Sequence, residues 1–112
     1  MGTRNKNRVS VPSAMKIVYT TVKTAGQAEK ISGALLAQGG ACASYWKIRS
    51  AYVWKGKQVK ETEYALEIKC ADACAEKLAK LAEKIHPYKL PMVLILGVRK
   101  SNAAYAHWLE NK

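Results

Sequence analysis

Two long stretches of alternating residues, placed either side of a tight turn, limit what this chain can fold into more than any other feature. Residues 41–54 and 59–70 flank Lys55-Gly56, a dipeptide suited to the left-handed backbone of a two-residue hairpin turn. In the first stretch Trp46, Ile48, Tyr52 and Trp54 fall on one face. In the second, Glu61, Glu63, Glu67 and Lys69 point one way while Tyr64, Leu66 and Ile68 point the other. Period-two alternation of this kind marks paired antiparallel strands whose two faces meet different surroundings.

The flanking sequence supplies the remaining elements. Met15–Val22 is rich in β-branched and aromatic residues and predicts a first strand. Thr24 and Gln27 fit a capping box, in which each side chain satisfies a free backbone N–H at a helix start. Ala28, Ile31 and Leu35 then recur at helical spacing, and Gly39-Gly40 ends that helix. Asp72 is expected to cap a second helix with Cys74, Leu78, Leu81 and Ile85 as its apolar stripe. His86-Pro87 stops it, because Pro has no N–H to donate. The continuous apolar run over 92–98 predicts a strand buried on both faces. Ser101 is expected to cap a short last helix holding Ala104, Tyr105 and Trp108.

This β-α-β-β-α-β-α order belongs to an α+β protein. It predicts a ferredoxin-like sandwich: a four-stranded antiparallel sheet with two helices on one face and a C-terminal helix added. With 112 residues there is room for one domain, expected over 14–112, after a disordered basic tail over 1–13. The second and third strands would project as an extended hairpin. Its aromatics cannot all be hidden in so small a core, and one sheet face lacks helices. Both points call for a closed homo-oligomer.

Composition excludes several classes. No apolar run nears the ~18 residues of a membrane span. Three cysteines, Cys42, Cys70 and Cys74, are an odd count without paired spacing, which speaks for a reducing, cytoplasmic setting. Organellar targeting by the basic tail is the alternative. The net charge of +11 favours loose attraction to anions. Glu61, Glu63 and Glu67 would repel phosphate, however, and the third strand lacks the glycine-aromatic motif of an RNA-binding sheet. Nucleic acid is therefore not the expected partner. No nucleophile–base pair is visible, and the turn at Lys23-Thr24-Ala25-Gly26 lacks the arginine of an acylphosphatase-like cradle, so an enzyme is not expected either.

Several side chains carry two readings each. A Cys42 thiolate suits soft ions, yet a lone Cys is also a small buried hydrophobe. Cys70 and Cys74 read as core. His86 can ligate a metal, titrate near neutral pH or cap the helix end. Glu61 and Glu63 can hold a cation or pair with Lys57 and Lys69. Tyr52, Trp54, Tyr105 and Trp108 can stack on a ligand or fill an interface.

Taken in order, Ala41-Cys42, Tyr52-x-Trp54-x-Gly56-Lys57, Glu63 with Lys69, His86-Pro87-Tyr88 with Pro91, and Tyr105-x-x-Trp108 resemble the CutA family of divalent-cation tolerance proteins. The resemblance implies a ferredoxin-like trimer whose arms embrace neighbouring subunits, akin to the PII signalling trimers. It implies divalent metal, copper among them, as partner, with no established reaction and no cofactor needed for folding. A PII-like signalling or small-ligand-binding trimer is the alternative function. The metal candidates are Cys42, which matches the family cysteine proposed to bind metal, His86 of the family's His-Pro-Tyr block, and Glu61 and Glu63 from their shared strand face. The interface and pocket candidates are Trp46, Tyr52, Trp54, Lys69, Tyr88, Tyr105 and Trp108. Ser44, Lys47 and Met92 depart from the family's usual Asn, Pro and acid.

Overall fold

The computed structural model describes residues 10–112. Residues 1–9 of the expected tail lie outside that span. Its end does not: Ser10–Pro12 forms a short strand, β1, so ordered backbone starts before the expected boundary at Ala14. The chain continues through β2 (Met15–Val22), α1 (Ala25–Ala37), β3 (Cys42–Trp54), β4 (Lys57–Ala71), α2 (Asp72–Ile85), β5 (Val93–Gly97), β6 (Lys100–Asn102) and α3 (Ala103–Asn111). The principal sheet has the order β3-β4-β2-β5 with every neighbouring pair antiparallel. Two interleaved β-α-β units give that order, so the expected α+β topology is present. β1 and β6 add a separate two-stranded ladder.

The start of α1 follows directly from its sequence. Thr24 Oγ1 accepts from the Gln27 N–H at 3.1 Å, and Gln27 Oε1 accepts from the Thr24 N–H at 3.3 Å, which satisfies two donors the first turn would leave free. At the far end Gly39 has φ +119°, a left-handed conformation that ends the helix. α1 and α2 then cover one face of the sheet. Val18, Val22, Leu66 and Ile68 from the strands meet Ala28, Ile31 and Leu35 of α1 and Ala75, Leu78 and Ala82 of α2. Burying a Val, Ile or Leu side chain is worth about 1.5–3 kcal/mol, so this sheet–helix layer is the stability centre of the fold.

Three local expectations need correction. Asp72 does not cap α2; Ala71 holds the cap position without a side-chain bond, and Asp72 instead pairs with Lys16 Nζ at 2.8 Å. Ser101 does not cap α3; Asn102 stands there, while the Ser101 hydroxyl donates to the Asn102 carbonyl at 3.0 Å. Nor is β5 buried on both faces. It is an edge strand, and Leu94 and Leu96 on its helix-free side are 43% and 44% exposed.

The hairpin is as long as the alternation predicts. The β2–β4 ladder ends at Val22–Tyr64, but β3 and β4 run on together for seven further pairs, Ile48–Glu63 through Trp54–Lys57. The arm gives the molecule its elongated shape, 56 × 27 × 21 Å. Lys55 and Gly56 close it with φ of +51° and +80°, the doubly left-handed turn that matches strand twist.

Candidate functional site

Strand register decides what the helix-free face presents. Cys42–Lys69, Trp46–Ala65, Ile48–Glu63 and Ser50–Glu61 are cross-strand partners, so their side chains share one face of the pleated ribbon. Ile17, Tyr19 and Thr21 join them through the β2 register, and Leu94 and Leu96 through β5. That face is therefore aromatic and apolar with acids set into it. Trp46 is 44% exposed, Tyr52 40% and Trp54 52%.

Where the arm leaves the sheet, the segment after α2 closes one side of a cleft of about 720 Å³. Tyr88 is its keystone. Its hydroxyl donates to Glu63 Oε2 at 2.8 Å, and Glu63, 8% exposed, is a buried carboxylate. Burial pushes the Tyr88 hydroxyl far above the ordinary phenol range, and the Glu63 hydrogen bond and charge add to this. One step along the strand face, the Tyr52 hydroxyl donates to Glu61 Oε2, and that bond is the first cause of a raised Tyr52 pKa. Tyr19, Ile48, Trp54, Leu90 and Met92 supply the apolar walls, with Lys89 at the lining as well. Among the described residues neither Glu61 nor Glu63 forms an ion pair.

His86 stands behind Tyr88 and holds it. Its Nδ1 accepts from the Tyr88 backbone N–H at 3.1 Å. Its Nε2 lies 2.9 Å from the Thr21 carbonyl and 3.0 Å from Thr20 Oγ1. A carbonyl only accepts, so the network assigns the proton to Nε2 and a lone pair to Nδ1. The Thr20 hydroxyl donates onward to the Met92 carbonyl at 2.6 Å. Burial lowers the His86 pKa, against smaller opposing contributions from the Thr21 bond and the Glu63 charge. The imidazole is thus a neutral strut that ties β2, the Pro87–Pro91 turn and the approach to β5 together.

Cys42 sits elsewhere. It lies across from Lys69 at the other end of the ribbon, six residues along β4 from Glu63, or about 20 Å at the usual rise per residue. Lys69 Nζ pairs with Glu67 at 2.8 Å, which raises the lysine's pKa. The Tyr105 pKa is raised by burial first and by the neighbouring Cys42 next. Tyr105 and Trp108 stack with ring centres 5.5 Å apart. The expected metal set therefore divides. Glu61, Glu63 and His86 gather near the cleft, while Cys42 keeps company with Lys69, Tyr105 and Glu67. Among the described residues no three His, Cys, Asp or Glu side chains converge as a metal cage. Glu63 and Tyr88 meet within one protomer. Sequence reasoning did not single out Thr20, Leu90 or Tyr19. The only hint for Thr20 was a polar pair, Thr20-Thr21, in an otherwise apolar strand.

A family model described as CutA1 divalent ion tolerance protein matches residues 16–112. The divalent-cation tolerance protein CutA of Thermotoga maritima is 33% identical over 97 residues, covering 86% of this chain and 96% of that protein. A rice protein named CutA 1, chloroplastic, is 30% identical over 104 residues, covering 91% of this chain but 58% of its own length. Among solved structures, CutA from Synechococcus elongatus PCC7942 superposes with a TM-score of 0.84 at 30% identity, over 95% of this chain and 96% of that one.

Proposed function

The chain belongs to the CutA1 divalent ion tolerance family, and from that premise we propose that it serves divalent-cation tolerance as a non-catalytic homotrimer that binds a divalent ion, with copper the first to test. The observation that carries the binding reading is the Glu61–Glu63 pair. One of these acids is more than nine-tenths buried, both line a single cleft, and neither has a cationic partner among the described residues. Buried charges are normally paired or bound to a cation. Carboxylates suit hard or borderline divalent ions, and Cys42 suits a soft one such as Cu(I). The two lie too far apart to share an ion within a protomer, so a site that uses both would span subunits. His86 would ligate only by giving up the Tyr88 N–H at Nδ1.

The trimer reading is supported by the exposed apolar strip formed by Trp46, Tyr52, Trp54, Leu94 and Leu96. Covering it with two further copies would remove surface that a lone protomer leaves wet. Light scattering of the purified protein should return three chains per particle, and a monomer at micromolar concentration would reject the assembly. Calorimetric titration with Cu²⁺ should weaken in Glu63→Gln and Glu61→Gln. If those variants bind as the parent does while Cys42→Ala or His86→Ala loses the ion, the site moves to the thiol or the imidazole. Among the described residues no helix is long and apolar enough to cross a membrane. The free cysteines favour a reducing compartment. We place the protein in the cytoplasm, with an organelle as the alternative that the rice relative's name suggests; imaging of the full-length tagged chain decides between them. A small-ligand-binding trimer is the second reading, favoured by the size of the cleft.

A further inference from the structure

We infer that the face of the β3–β4 arm turned away from Tyr52 and Trp54 is a docking surface for duplex DNA. Strand register divides the charges of the arm between its two sides. Lys47, Arg49, Ala51 and Val53 of β3 meet Tyr64, Thr62, Lys60 and Gln58 of β4, so these side chains share one face. Glu61, Glu63 and Glu67, the acids that count against phosphate in the sequence, lie with Ser50, Ile48 and Ser44 on the other. All of the first set except Tyr64 are exposed. The trimer proposed above closes over the aromatic face and leaves this one in water. From Lys47–Tyr64 to Val53–Gln58 it carries three cations and no acid. One step nearer the base, Glu29 of α1 is engaged by the Tyr45 hydroxyl at 2.9 Å. Among the described residues the ion pairs are Lys16–Asp72 and Lys69–Glu67, so no carboxylate there neutralises Lys47, Arg49 or Lys60.

Shape and spacing select the partner among polyanions. Beyond the sheet the arm is two strands wide and runs from Ile48–Glu63 to Trp54–Lys57, about 20 Å at the usual rise. The major groove of DNA is about 12 Å across and admits a two-stranded ribbon. The deep, narrow major groove of duplex RNA does not. Lys47 and Arg49 stand about 7 Å apart along β3. Lys60 lies diagonal to Arg49, about 7–8 Å away across the ribbon. Each of the three can therefore meet a separate phosphate. Gln58 and Thr62 stand beside them, and both side-chain types hydrogen-bond phosphates and base edges in that groove. The face shows no exposed ring, since Tyr64 at its root packs against the core. It thus lacks the stacking platform on which single strands are held. Val53 is its one large apolar side chain, too little to seat the arm in a bilayer.

The test follows the fluorescence anisotropy of a labelled duplex of about 20 base pairs as the intact oligomer is added at several salt concentrations. Saturable binding is expected, with log K falling against log salt at a slope of about −2.7 or steeper, the value for three phosphates. Affinity should then drop roughly fortyfold or more between about 50 and 200 mM salt. Lys47→Gln, Arg49→Gln and Lys60→Gln should each make the slope shallower by about one. The triple variant should lose binding while light scattering shows an unchanged assembly; if it fails to assemble, the three single variants decide. Replacing Lys77, Lys80 and Lys84 of α2 by Gln removes the same charge from another exposed face and should leave binding as in the parent. Equal losses in the two triple variants would mean that net charge alone attracts the DNA, and would overturn the inference. A single strand that displaces the duplex at equal concentration would overturn it too. Poly-glutamate or phosphatidylserine vesicles doing the same would move the surface to an acidic protein or a membrane. A flat titration at about 50 mM salt also overturns it, and leaves the ion-binding reading of the glutamates untouched.

Discussion

β3 and β4 belong to two different worlds along their length. At the base of the sheet, residues such as Leu66 and Ile68 are wholly enclosed by helices. Beyond Tyr64 the same ladder of backbone hydrogen bonds continues, yet Val53 is 70% exposed and Trp54 52%. The backbone pairing is alike in both halves; what differs is what the side chains touch. An isolated two-stranded ribbon is marginal in water, so the arm borrows its order from the base. The base holds the fold, and the arm is left free to offer its surface to other molecules. The cleft lies where the two regimes meet, and there a single acid, Glu63, is buried without the apolar surroundings of the core.

Substitutions can break this contrast or sharpen it. The largest loss is expected for Leu78→Ala in α2, a fully buried side chain: about 2–5 kcal/mol in urea-induced unfolding. A loss below about 1 kcal/mol would mean the base is not the stability centre. Next comes Gly40→Ala. A Cβ there would stand 2.9 Å from Ile68 Cγ2 and 3.1 Å from the Leu35 carbonyl oxygen, and overpacking of that kind costs about 1–3 kcal/mol. A smaller effect belongs to the junction. Burial lowers the His86 pKa below 6.5, so the unfolded chain takes up this proton more readily than the folded one. The contribution is fully present above about pH 6.5 and is lost as pH falls through the folded pKa. Unfolding midpoints should decline across that window, and His86→Gln should flatten the decline; an identical profile in the variant refutes the assignment. Val53→Ala in the arm should change stability by no more than ~0.5 kcal/mol. A larger loss would show that a partner covers the face of the arm opposite Tyr52 and Trp54 as well.

Much of the base was legible from local chemistry. The Thr24–Gln27 box needs only two residues at the right spacing, and the Lys55-Gly56 turn needs only its own backbone. The β5 run misled because a continuous apolar strand looks the same whether its second face is covered by helices or left at a sheet edge. Asp72 misled because an acid serves equally well just inside a helix start or at its cap, and here it found Lys16. β1 escaped notice because three residues carry no period. Within the site, alternation placed Glu61 and Glu63 on one face, and the family motif supplied Tyr88. The role of His86 could not be read in advance, since it depends on Thr20 and Thr21 some 65 positions earlier in the chain. The separation of Cys42 from the acids is a matter of strand length, which becomes plain once the register is known.

The tip of the arm carries a further consequence. Lys55 and Gly56 set the phase of all the pairs that follow, from Trp54–Lys57 back to Cys42–Lys69. A single extra residue at that bend, if absorbed by sliding one strand, would turn each displaced side chain to the opposite surface. If β4 slid, the glutamates would look away from Tyr88; if β3 slid, Trp46 and Trp54 would pass together to the other surface. Itself no part of the cleft's lining, a two-residue bend acts as the dial that aims the whole recognition surface.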